Sequence, residues 1–331
     1  SLTNIDLAKI LKDNYYDSNL NFYFSADGKG IDIDEMNGDF SFGIDSSRFR
    51  DKSISYSNID LNIKKDSLQR RIKLVSDFLD FELYGNFSLS HAAELLAYEG
   101  KVFSKILAEK IRDLNPLSAV SEFKKIDLPA SIIPPAISDS LKIDYDYLFK
   151  DFELISMIIG TNRMEIAGKG DGLITNNGRN FSITNNTDLD YMIISLEDQT
   201  VYLSGLLLKF NLSRDNSSFS FDDLFGSVAL ASKRFYFGQN YKNISAELHF
   251  NHSVVDYDTA VEIDDLLSTE LKGQIIIGDT QQQIFVDSLW LKISEFEFTN
   301  RDTIRAFFNP FQFIIDHCAL HRDSTNIDIK G

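Results

Sequence analysis

One cysteine, one tryptophan and five prolines among 331 residues leave little to staple or interrupt this chain. Cys318 alone permits no intrachain disulfide, so packing and hydrogen bonds must supply the stability. A chain this poor in thiols suits an oxidising compartment, but cytosolic proteins share the trait, so the cysteine count does not fix the compartment. Basic residues are also scarce. The 33 Lys and Arg face 50 Asp and Glu, for a formal charge of -17. That excludes the broad electropositive surface needed to displace counterions from nucleic acid. It also disfavours tight adhesion to an anionic lipid surface. The densest basic run, Lys64-Lys65 to Arg70-Arg71, is broken by Asp66 and reads as a solvated turn. No apolar run approaches the roughly 18 residues of a membrane span. No basic-then-apolar leader follows Ser1, so the chain reads as an internal or processed segment of a longer protein.

Catalytic signatures are equally thin. No G-x-S-x-G elbow occurs. Gly168-Lys169-Gly170-Asp171-Gly172 lacks the Lys-Ser/Thr ending of a phosphate loop and reads as a hairpin turn. His317, Cys318 and His321 resemble a metal cluster only on a helix. In strand-like surroundings four residues span roughly 13 Å, too far for one ion. Acidic pairs such as Asp264-Asp265 are expected by chance among 50 acidic residues. The residues therefore point to no enzyme, no metal and no cofactor.

What is present is alternation. Leu20, Phe22 and Phe24 alternate with polar or tyrosyl neighbours, as do Phe40, Phe42 and Ile44, and then Ile59, Leu61 and Ile63. Period 2 marks strands with one apolar face. Asn, Asp, Gly and Ser fill the breaks, as at Asp27-Gly28, Asn37-Gly38 and Asn177-Gly178. Many short, turn-linked strands imply antiparallel neighbours, and no strand–helix–strand rhythm supports a doubly wound fold. An apolar–x–Gly step recurs at Leu83-Tyr84-Gly85, Leu203-Ser204-Gly205 and Leu271-Lys272-Gly273, and reads as a strand ending. One segment differs. From Ser90 to Leu114 the residues Ala92, Leu95, Leu96, Phe103, Ile106, Leu107, Ile111 and Leu114 fall at helical spacing. Ser90 is the expected N-cap, Glu94 lies in the expected first turn, and Gly100 marks a candidate bend or break. Prolines follow, which places the expected boundary between a segment 1–136 and a segment 137–331.

The strand-and-glycine units carry a resemblance. The stretch Ser53 to Leu89, with its core SDFLDFELYGNFSL followed by the helix, resembles the repeat unit of the TamB family within the AsmA-like superfamily. Residues Asp287 to Gly331 resemble a second unit, with a strand pair ending near Thr299-Asn300. The resemblance implies a mainly β fold: an extended antiparallel sheet curled into a taco-like trough, with an apolar inner face and one amphipathic helical insertion. It implies a periplasmic place in a Gram-negative envelope, with an inner-membrane anchor outside this segment. It further implies phospholipid acyl chains as cargo and an Omp85-class outer-membrane barrel as a partner.

On that basis the expected function is a non-enzymatic lipid conduit between inner and outer membranes. The expected groove lining is Leu79, Phe81, Leu83, Val201, Leu203, Leu208, Phe210, Leu212, Ile275, Ile277, Leu289, Leu291 and Ile293. A one-residue slip in register would turn any of these sets outward. Two other readings use the same pattern. One is a scaffold for outer-membrane protein assembly that works through open strand edges. The other is a secreted adhesin or glycan-binding β-repeat with a filled interior.

Overall fold

The computed structural model describes residues 1–114, 140–196, 199–215, 223–278, 281–309, 312–322 and 325–330, with the backbone alone over 105–114. Strand makes up 72% of it, so the fold is mainly β. The chain opens with β1 (Leu2–Ile5) and a short helix α1 (Leu7–Leu11). Strands β2 (Ser18–Lys29), β3 (Asn37–Phe49), β4 (Lys52–Asp66), β5 (Gln69–Ser76) and β6 (Leu79–Asn86) follow. Helix α2 (Leu89–Leu114) separates β6 from β7 (Leu141–Phe149), and α3 (Glu153–Ile159) separates β7 from β8 (Arg163–Asn176). Next come β9 (Asn180–Leu196), β10 (Gln199–Asp215), β11 (Leu224–Phe237), β12 (Gln239–Asn251), β13 (Val254–Ile263), β14 (Leu267–Ile277) and β15 (Gln282–Ile293). The last are β16 (Phe296–Asn300), β17 (Ile304–Asn309), β18 (Gln312–Arg322) and β19 (Thr325–Ile329).

All 19 strands form one antiparallel sheet. From β1 to β15 each strand pairs with the next in sequence. β16 and β17 are two halves of one interrupted strand between β15 and β18. Asn300 pins the interruption. Its Oδ1 accepts from Leu289 N, and its Nδ2 lies within hydrogen-bond distance of the carbonyls of Val286, Asp287 and Asp302.

The strands are longer than their sequence suggests, reaching 17 residues in β9 and β10. Of the glycines read as strand ends, Gly85 does stand at one, next to last in β6, but the others do not. Gly205 lies inside β10 and Gly273 inside β14. Gly205, at φ +58, absorbs a bulge, and the ladder to β9 resumes on its far side. Asp27-Gly28 is likewise in-strand, with Gly28 opposite Gly38; the β2–β3 connection comes later, at 30–36.

Helix α2 starts one residue early and runs unbroken through Gly100. Ser88, not Ser90, caps it through Ser88 Oγ accepting from His91 N at 3.2 Å. Ala92 and Leu95 are buried as expected, whereas Leu96 and Phe103 are exposed and Tyr98 and Val102 take their place. Side chains 106–114 of the expected stripe lie outside the described residues. So does the expected 136/137 boundary, although β6 and β7 join the two segments in one ladder.

The sheet is strongly curled. Leu95 packs with Ile63 of β4 and Ile72 of β5, and the same helix reaches β17. In a flat sheet β5 and β17 would stand roughly 50 Å apart. The stretch from Leu95 to Leu114 spans only about 29 Å. The two ends of the sheet must therefore fold toward each other around the helix. At the opposite strand ends, Leu154 and Met157 of α3 and Leu7 of α1 cover Leu20, Ile44, Phe49 and Ile54 of β2–β4. The total accessible surface is 20248 Å². A compact monomer of this mass would show about 14,000 Å².

Candidate functional site

Directly paired residues of antiparallel strands share a face. One row of pairs crosses the sheet from Leu208 through Thr187, Gly170, Tyr147, Phe81, Leu74, Leu61 and Phe40. In the other direction it continues through Leu230, Ala246, Thr259, Leu271 and Leu289. Leu79 and Leu83 flank Phe81, Phe210 and Leu212 follow Leu208, and Leu291 and Ile293 follow Leu289, all at steps of two. Ile275 and Ile277 stand in step with Leu271. A second row links Leu203 to Phe235, Tyr241, Ile263 and Leu267, on the same unbroken strand as Leu271. Val201 lies two residues from Leu203. All thirteen expected lining residues thus share one face. Twelve are half-buried, and Ile293 is 46% exposed.

The outer face of the same strands is polar. Arg71 and Glu82 pair there at 2.7 Å, and Lys169 stands opposite Asp188. The inner face is broader than the sequence indicated. Phe22, Phe24, Phe40 and Phe42 of β2 and β3 belong to it, as their direct pairing and that of Phe40 with Leu61 show.

Across this floor runs a stripe that sequence reading missed. Gly168 to Gly172, expected as a turn, lies within β8 opposite Tyr145, Tyr147 and Phe149. A Cβ at Gly170 would overlap the Tyr147 ring, and one at Gly172 the Tyr145 ring. The glycines let the two rings lie flat over β8, stacked at 6.5 Å with planes 8° apart. Tyr145 Oη donates to Thr184 O at 2.9 Å, and Tyr147 Oη meets Thr187 Oγ1 at 2.5 Å. Burial, helped by the neighbouring Tyr147 and Asp171, pushes the Tyr145 hydroxyl up to about 12. The alternating tyrosines of β7 and glycines of β8 could have signalled this ring-over-glycine packing.

The two ends of the floor differ. At one end α2 lies across it, and the fully buried side chains gather there: Ile143, Asn176, Arg70 and Gln282 with Leu95 and Val102. Arg70, expected on a solvated turn, is 1% exposed because its guanidinium donates to the carbonyls of Ile33 and Asp34. At the other end Leu196, Phe237, Ile293 and Phe296 form an exposed apolar rim.

The remaining candidates do not converge. Asp264 and Asp265 form the β13–β14 turn at φ 47 and 58. His317 lies 3.8 Å from Asp302, His321 Nδ1 lies 2.9 Å from Asn326 Oδ1, and Cys318 is buried. Among the described residues no group of three His, Cys, Asp or Glu could hold a metal, and no helix is long and apolar enough to cross a membrane. The geometry defines a class: an open, curled, one-sided β-sheet with an apolar floor. No family model, curated protein or solved structure matches the chain.

Proposed function

We propose that this chain is a periplasmic segment of a TamB-like, bridge-like lipid transfer protein. It carries phospholipid between inner and outer membranes without catalysis. The observation that supports this reading is the shared, half-buried apolar face of the thirteen residues, with no second sheet among the described residues to cover it. A one-sided sheet must satisfy its apolar face somehow. Acyl chains do so at a gain of about 0.8 kcal/mol per methylene. Successive positions on the floor exchange similar contacts, so a chain can slide while its head group stays in water. A passive floor sets no direction.

The test is a photo-crosslinking residue at Leu203 and, separately, at Tyr202, in cells. Tyr202 is on the outer face, opposite Ile193 and under Arg234. Lipid adducts at Leu203 alone are expected. Adducts at neither site, with folded protein, would refute the conduit.

A scaffold for outer-membrane protein assembly is the second reading. It is favoured by β19, which among the described residues pairs only with β18 and whose side chains are all exposed. Crosslinks from β19 to a client strand, with none from Leu203 to lipid, would support it.

A further inference from the structure

Helix α2 is an insertion that the sheet does not need. β6 and β7 pair directly from Leu79↔Phe149 to Asn86↔Lys142, so lifting the helix breaks no ladder hydrogen bond. Yet the helix is fastened to the floor at three points. Leu95, with no exposed surface, and Ala92 sit among Ile72, Ile143, Ile174 and Phe181. Asp34, from the β2–β3 loop, accepts from Leu89 N at 2.6 Å, Ser90 N at 3.2 Å and the Ser90 hydroxyl. Glu99 forms a two-pronged pair with Arg214, Nη2 to Oε1 at 2.8 Å and Nε to Oε2 at 3.2 Å, with side chains 10% and 6% exposed.

Arg214 stands on the floor itself, opposite Phe181 and Leu224. A guanidinium there gains nothing from an acyl chain. It matches a helix that brings its own carboxylate. Breaking one partner of such a buried pair leaves an uncompensated charge, which disfavours the docked state. The helix stripe and an acyl chain thus need the same apolar surface, and the charge pair favours the helix.

We propose that α2 is a resident plug: it occupies the acyl-chain surface at this end of the floor, and lipid gains that surface only when α2 lifts. The proposal rests on the lipid-carrier reading. Its consequence is quantitative. If the floor beneath α2 is open in one molecule in ten or fewer, releasing the helix tightens apparent affinity about tenfold or more.

The experiment compares the wild-type chain with Glu99→Arg and with the swap Glu99→Arg/Arg214→Glu. It reads binding of the fluorescent fatty acid cis-parinaric acid and amide exchange of α2. Glu99→Arg is expected to expose α2 amides and tighten probe binding about tenfold, and the swap to reverse both. Should Glu99→Arg fail to fold, Asp34→Ala releases the start of the helix instead. Amides of α2 as protected as in wild type would overturn the latch, and the proposal with it. A released helix with unchanged probe binding would overturn the plug while leaving the carrier reading intact. No probe bound by any variant, with α2 released, would sink both.

Discussion

Replacing Leu95 with alanine separates a docked helix from an integral one. Leu95 has no exposed surface and belongs to one buried cluster with Ile63 of β4, Ile72 of β5, Ile143 of β7, Ile174 of β8 and Phe181 of β9. A leucine truncated in such a setting costs roughly 2–5 kcal/mol, because the lost contacts leave a cavity that relaxes only in part. Where that cost appears depends on the architecture. The β6–β7 ladder closes without α2, so the deficit should fall on helix docking and not on the sheet. In native-state hydrogen exchange, α2 amides should then exchange about 30- to 4,000-fold faster, the same free energy expressed as a rate ratio. Amides in the centre of β9 and β10 should keep their wild-type rates. If α2 and strand amides accelerate together, and the denaturation midpoint falls by the full amount, the helix is part of the cooperative core and the reasoning fails.

Three further outcomes follow from single sites. The Asp34 carboxyl is partly desolvated, which raises its pKa, but hydrogen bonds from Ser90 and Leu89 and the nearby Arg70 outweigh this and hold it below its usual 3.8. Its contribution to α2 docking is therefore present above that value and lost as pH falls through the lower folded one; exchange measured against pH should show an acid step in wild type that Asp34→Asn removes. Gly170→Ala drives a methyl into the Tyr147 ring and should cost about 1–3 kcal/mol in chemical denaturation, part of it recovered when Tyr147 is also replaced by alanine. Phe210→Asp places a charge on the half-buried floor and should abolish fatty-acid binding while leaving the circular dichroism spectrum unchanged, whereas Asn211→Asp, on the outer face, should leave both binding and spectrum unchanged.

Much of the sheet was legible because alternation is a local signal. Leu79, Phe81 and Leu83 share a face wherever they lie in a strand. What alternation cannot carry is the link between strands and across bulges. Leu203 and Leu208 differ in parity, yet they share the floor because Gly205 takes up a residue between them. The glycine was visible, but whether it ended the strand or bent it depended on pairing partners 12 or more residues away in sequence. Arg70 shows the same limit. Its neighbours are charged and its position suggests a turn, but the β2–β3 loop folds back over it and offers two carbonyls. The cap of α2 divides similarly. Ser88 is local and close to the expected site, while Asp34 comes from 55 residues upstream, a distance no capping motif encodes.

The meander itself bears on how such a chain comes to be folded and how it comes apart. Among the described residues each strand from β2 to β14 is paired only with the strands just before and after it. Apart from the β6–β7 pairing, which spans helix α2, ladder formation therefore does not have to wait for a distant partner, and the sheet can lengthen as the polypeptide emerges, one hairpin at a time. The reverse holds under mechanical load. Tension should peel hairpins away from the margins at β1 and β19, giving a staircase of small yields in place of a single rupture.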